Sequence, residues 1–182
     1  MISKEKCLEK MKYVRDAFWF SLGAYGLAVK EPTSHFLSDY NLTVSDDEIY
    51  VLSVGELPPT NRLLYSINFS NTLDNGSAKM FVRQTFFYMI LETFEATKSY
   101  ASENNKLNDF RSQEWYSFVR HLRNAIGHNG LWTIRGSPND LPTTFRNKTI
   151  DLSFNGKELG DFIGWVYGLQ LCAAIQLWVN TN

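Results

Sequence analysis

Arg120, His121, Arg123, Asn124 and His128 crowd into one short stretch of the chain, and their side chains suit anion binding and proton transfer. Arginine offers a permanent charge and a fork of donors to an oxyanion. Histidine takes and releases protons near neutral pH. Trp115, Phe118, Val119, Leu122 and Ile126 recur at helical spacing around these residues and define a core-facing stripe. With Trp115 at zero and about 100° per residue, Arg120 falls near ~140°, Asn124 near ~180°, His128 near ~220° and His121 near ~240°. All four are therefore expected to turn away from the core. Arg123 falls at the border, near ~80°.

The elements that position this face follow from periodicity. Cys7, Met11, Val14, Phe18, Leu22, Tyr25 and Val29 alternate steps of four and three, which predicts a helix over about Ser3–Lys30, capped by Ser3 and ended by Pro32. The helical period is lost over about 31–76. There Ile49–Val54 and the alternating Leu63, Tyr65, Ile67 and Phe69 predict strands, joined by Pro58-Pro59 and closed by an Asn75-Gly76 turn. Helix resumes over about Ser77–Tyr100 and again over about Asn108–His128, where Gly127, Asn129 and Gly130 mark a fraying end. A Gly-, Pro- and Asn-rich loop and an alternating Ile150, Leu152, Phe154 strand make a short hairpin or strand region of about 131–156. A final apolar helix is expected over about Lys157–Val179, buried because apolar residues surround nearly its whole circumference. The expected fold is mainly all-α: a single domain over 1–182, a four-helix bundle with short strand-containing insertions.

Composition narrows the function. The 182 residues include 44% hydrophobic and 20% charged side chains, enough for one sizeable core. A net charge of -1 excludes a generally basic nucleic-acid coat, so any polyanion site must be local. Residues 106–148 are that locality, with seven Lys or Arg against three Asp or Glu, whereas 31–103 carry ten acids against four bases. This polarity can concentrate an anion such as RNA phosphate over the third helix, or be a solvated charged face. Cys7 and Cys172 fit neither a disulfide scaffold nor a metal site and read as buried hydrophobes in a reducing cytoplasm. The Asp46-Asp47-Glu48 cluster has no paired ligand at defined spacing and reads as a solvated turn. Ala17–Val29 follows Glu5, Glu9 and Asp16, unlike the positive start of a targeting peptide. The uncharged run Phe162–Val179 contains Gln170 and Gln176, is preceded by acids and is followed by no Lys or Arg, favouring a bundle helix over a membrane span.

Arg123-Asn124-Ala125-Ile126-Gly127-His128 resembles the motif of the HEPN superfamily: an Arg followed by a polar residue, with a His four to six residues after the Arg, near the end of a late bundle helix. The phrase continues as His128-Asn129-Gly130, and the match falls in the penultimate expected helix. The likeness is specific over about Trp115–Gly130, and the 31–76 insertion departs from a minimal four-helix domain. The resemblance implies a homodimer in which two motif helices face each other. It also implies a metal-independent ribonuclease of toxin, antiviral or RNA-processing systems, with RNA or a nucleotide as ligand, no cofactor and, in a toxin setting, an antitoxin partner. In that setting His128 would deprotonate a ribose 2′-hydroxyl or protonate the leaving 5′-oxygen. Arg123 would stabilise the phosphate, and Asn124 would orient the phosphate or His128. Arg120 and His121 would be RNA-binding neighbours, with His121 more simply an exposed bystander. Because Arg123 and His128 point about 140° apart on a straight helix, a twofold pair of helices would be needed to converge them on one phosphate. A noncatalytic member of the same superfamily, serving in dimerisation or in nucleotide or RNA binding, is the competing reading.

Overall fold

The computed structural model describes residues 2–31, 33–45, 48–57, 63–134 and 139–182. Pro32, Asp46, Asp47, Pro58, Pro59 and Arg135, the last one of the seven bases of 106–148, lie outside these residues. The described chain is mainly helical, with small antiparallel sheets. It divides into two compact units, one formed by the residues up to Ala17 with Thr85–Asn182, the other by Phe18–Gln84. Helices α1 (Lys4–Ala28) and α4 (Ser77–Glu103) contribute residues to both.

The larger unit holds the motif. Ser3 Oγ accepts the Lys6 N–H at 3.3 Å, giving α1 the expected cap. Cys7, Met11 and Val14 are buried along the predicted stripe, and Phe86, Met89, Ile90, Phe94, Thr97 and Tyr100 are buried along α4. Burial pushes the Cys7 thiol up to about 11 and the Cys172 thiol up to about 12, as expected of inert apolar packing.

The third predicted helix is broken in two. α5 (Leu107–Ser112) stops at Gln113, whose ψ of 137° is extended, and α6 (Tyr116–Gly127) starts afresh. On one continuous helix Phe110 and Trp115 would point about 140° apart. The break lets both turn inward, 0% and 8% exposed, with their rings 5.6 Å apart edge to face.

After α6, β4 (Thr143–Phe145) and β5 (Lys148–Ile150) form the expected short hairpin. The strand expected to run through Phe154 stops at Ile150, because Asp151 Oδ1 accepts the Ser153 N–H at 2.8 Å and starts a 3₁₀ turn over Leu152–Phe154. The last helix, α7 (Trp165–Thr181), begins eight residues later than expected, with Gly160 at φ 47° in the irregular lead-in and Gly164 at the N-cap. Its burial is one-sided: Gly168, Leu171, Cys172, Ile175, Trp178 and Val179 are covered, while Val166 and Leu177 are 69% and 63% exposed. Gly168 marks a close approach to α4, where a methyl group would overlap the Phe86 ring and meet Ile90 Cδ1 at 3.2 Å. No helix among the described residues is long and apolar enough to cross a membrane.

The smaller unit carries a three-stranded antiparallel sheet in the order β2-β1-β3, built from β1 (Tyr40–Ser45), β2 (Glu48–Ser53) and β3 (Leu63–Asn68). Leu42 faces Val51 on one side and Ile67 on the other. Short helices α2 (Thr33–Ser38) and α3 (Phe69–Asp74) flank the sheet. Asn68 ties them together, accepting the Ser70 N–H at 3.0 Å while its Nδ2 donates to Ser38 O at 2.9 Å. Periodicity in the sequence predicts two of these strands and neither short helix.

Candidate functional site

α6 is held by Phe118, Val119, Leu122 and Ala125, all fully buried, with the Phe118 ring near Phe145, Phe162 and Tyr167. The buried face is turned toward Ala125 and His121 and away from half-buried Ile126. This rotation brings Tyr116, Arg120, Arg123 and Asn124 to an open cleft of about 200 Å³, whose other wall is Phe94, Glu95 and Lys98 of α4.

Arg123 is fixed within that cleft. Its Nε donates to Glu95 Oε1 at 2.6 Å and its Nη1 to Asn124 Oδ1 at 3.2 Å. Binding the guanidinium through Nε leaves most of the fork for another oxyanion. Arg123 and Glu95 remain 37% and 28% exposed, so the pair orients more than it stabilises.

His128 stands apart. It occupies the C-cap of α6 with an exposed side chain and is not among the residues lining the cleft. The helix end does not fray. Asn129 and Gly130 both take positive φ, and the Gly130 N–H donates to Ala125 O at 2.9 Å, the long bond of a Schellman closure. Beyond it, Leu159 N–H donates to Gly130 O at 2.6 Å, and Trp132 exchanges backbone bonds with Lys157 and Gly156 at 2.9 and 2.8 Å. Trp132 is 1% exposed against Phe154 and Phe162. The backbone carrying His128 is thus pinned from both sides while its imidazole faces solvent.

His121 corrects the helical arithmetic. Helical spacing from Trp115 turns it outward as an RNA contact or bystander, yet it is 6% exposed. Asp140, from the segment before the hairpin, lies over this side of α6, with Oδ1 at 3.4 Å from His121 Nε2 and Oδ2 at 2.6 Å from Arg120 Nη2. The same Arg120 nitrogen lies 3.1 Å from His121 Nε2. That ring nitrogen accepts from Arg120 when bare and donates to Asp140 when protonated. Arg120 reaches the cleft with its charge already partnered.

Burial first, and then the Arg120 charge, hold His121 below its ordinary pKa against the opposing pull of Asp140. Burial raises Asp140, but hydrogen bonds from Arg120 and Ser117 and the charges of Arg120 and His121 outweigh it and leave the carboxyl below its usual range. The unfolded chain protonates His121 near pH 6.5, and the folded chain only at lower pH. This group's contribution to stability is therefore complete above about pH 6.5 and is lost as pH falls through the lower folded pKa. Thermal melts taken from about pH 7 to about pH 5 are expected to show wild type losing Tm more steeply than His121→Gln. Equal slopes would exclude His121 as the source.

Periodicity around the motif does not single out Glu95, Lys98 or Tyr116. The available signal was that Glu92, Glu95 and Lys98 are the only charged residues in 85–101 and recur every three positions, marking one polar strip on an otherwise apolar helix. Among the described residues no cluster of three His, Cys, Asp or Glu side chains is arranged to hold a metal ion. No family model, curated protein or solved structure matches the chain.

Proposed function

We propose that this chain is a metal-independent endoribonuclease of HEPN type, acting on single-stranded RNA in the cytoplasm in a toxin, antiviral or RNA-processing setting. The observation that carries the reading is Arg123, aimed into a cleft by Glu95 and Asn124 on the helix whose rigid C-cap carries His128. In the proposed reaction the ribose 2′-oxygen attacks the adjacent phosphorus, forming a 2′-O–P bond as the P–O5′ bond breaks. The 2′-hydroxyl proton passes to a base and the departing 5′-oxygen receives one, leaving a 2′,3′-cyclic phosphate and a free 5′-hydroxyl. His128 serves this proton transfer, and Arg123 carries the growing phosphate charge.

His128 does not line the cleft of its own protomer, so the reading requires a twofold partner that brings the two motif helices together. Sedimentation at micromolar concentration is expected to give a dimer. A monomer that cleaves RNA would remove the need for a composite site. In a toxin setting, an antitoxin protein that masks this face would be a further partner.

The direct test is incubation of the purified protein with single-stranded RNA in EDTA, with the product ends identified; cyclic phosphate termini are the expected result. A second reading, a noncatalytic HEPN module for dimerisation or for nucleotide or RNA binding, is favoured by Glu95 neutralising Arg123 and by the distance of His128 from the cleft. A protein inert on varied RNAs would establish that reading in its place.

A further inference from the structure

The cleft has three cationic side chains, and two are already committed. Arg123 is held by Glu95 and Arg120 by Asp140, each at 2.6 Å. Lys98, exposed on α4 three residues beyond Glu95, has no ion pair among the described residues. The unneutralised charge of the cleft therefore sits on the wall opposite the motif. Attraction for a polyanion comes from charges that can exchange counterions for phosphate, and an arginine bridged to a carboxylate contributes less of it. The half-buried ring of Tyr116, its centroid 5.9 Å from that of the buried Phe94 behind it, also lines this cleft. Such a mixture of cation and aromatic surface suits a single strand, whose bases are free to stack.

We infer that Lys98 is a substrate-binding residue that takes a phosphate of single-stranded RNA neighbouring the one presented to Arg123. This rests on the ribonuclease reading for its substrate, but it is a statement about affinity and can be tested without turnover. Lysine acts here as a compact point charge on a flexible stem, so arginine should replace it and glutamine should not. Its role is in binding, not in the acid–base step, so it should move KM and leave kcat.

The probe is a fluorescently labelled single-stranded RNA, 2′-O-methylated throughout so that it has no attacking hydroxyl, titrated by anisotropy at several salt concentrations. Lys98→Gln is expected to weaken binding about tenfold and to lower the salt slope by about 0.7, the value of one phosphate contact on a single strand. Lys98→Arg is expected to restore both, while Lys79→Gln, which alters an exposed lysine of the other unit, should change neither. On cleavable RNA, Lys98→Gln should raise KM about tenfold with kcat unchanged. Lys98→Gln binding with wild-type affinity and slope, or no more weakly than Lys79→Gln, would overturn the assignment, as would wild type failing to bind the probe. If wild type binds the probe with the expected Lys98 dependence but leaves RNA uncut, the ribonuclease reading fails and the phosphate site stands.

Discussion

His128→Ala is expected to lower RNA cleavage by about 10²–10⁴-fold, the loss associated with a positioned acid or base. Arg123→Ala should cost about 10²–10³-fold through loss of a donor to the charged transition state. Neither loss should come from unfolding. His128 is exposed at the C-cap, and the Arg123–Glu95 pair is open enough to solvent that its removal should cost no more than about 1 kcal/mol. Asn124→Ala should be impaired less, since Asn124 reaches the substrate through the orientation of Arg123. Wild type and the three variants are compared on single-stranded RNA in EDTA, with Tm measured in parallel. The composite site gives a sharper form of the test. Co-refolding Arg123→Ala with His128→Ala in equal amounts makes half of the dimers mixed, and each mixed dimer keeps one complete site, so about a quarter of wild-type activity should return. No recovery would place both groups within one protomer. Full activity in both single variants would show that the reacting groups lie elsewhere.

Phe110→Ala should be the most damaging single truncation of the larger unit's core, costing about 3–5 kcal/mol. The side chain is 0% exposed, and its ring meets those of Phe94, Trp115, Tyr116 and Trp178 at 5.6, 5.6, 5.1 and 5.3 Å. Few neighbours can close the void. The Trp178 indole is tethered by its N–H to Asp109 Oδ2 at 2.8 Å, and Trp115 is fixed by the break between α5 and α6. The melting temperature should fall by on the order of 10 °C. Because Phe94 and Tyr116 also line the cleft, affinity for RNA should fall with it. Urea denaturation gives the cost directly, and a loss below about 1 kcal/mol would mean that the aromatic cluster repacks readily.

How far the sequence could be read depended on how local each determinant was. The α1 stripe through Cys7, Met11, Val14 and Phe18, and the long apolar run of α4, are periodic over many turns, and both helices lie where periodicity predicts them. α2 and α3 have six residues each, too few for a period to be distinguished from chance. β1 has only Tyr40, Leu42 and Val44 in alternation, a shorter run than the one that announces β3, and it is a strand because it has a partner on each side. The break after Ser112 has neither Gly nor Pro to announce it; the demand that both Phe110 and Trp115 be buried decides it. At the site, the motif helix and the outward face of Asn124 were legible. The cover over His121 comes from Asp140, and the orientation of Arg123 comes from Glu95, on segments whose approach no periodicity within α6 encodes.

The missing side chain at Gly168 also restricts the order in which this chain can change over generations. Position 168 and the ring of Phe86 share one space, so an alanine at 168 in the present background must push aside a buried ring already packed perpendicular to Trp165 with centroids 4.7 Å apart. If Phe86 first becomes a smaller residue, the resulting void costs stability, and a later methyl at 168 recovers part of it by filling that void and by favouring the helix. The reverse order passes through an overlap. The two positions are therefore expected to change as a pair and in one preferred sequence, so that a substitution harmful in this chain would be harmless in a descendant that had already lost the ring.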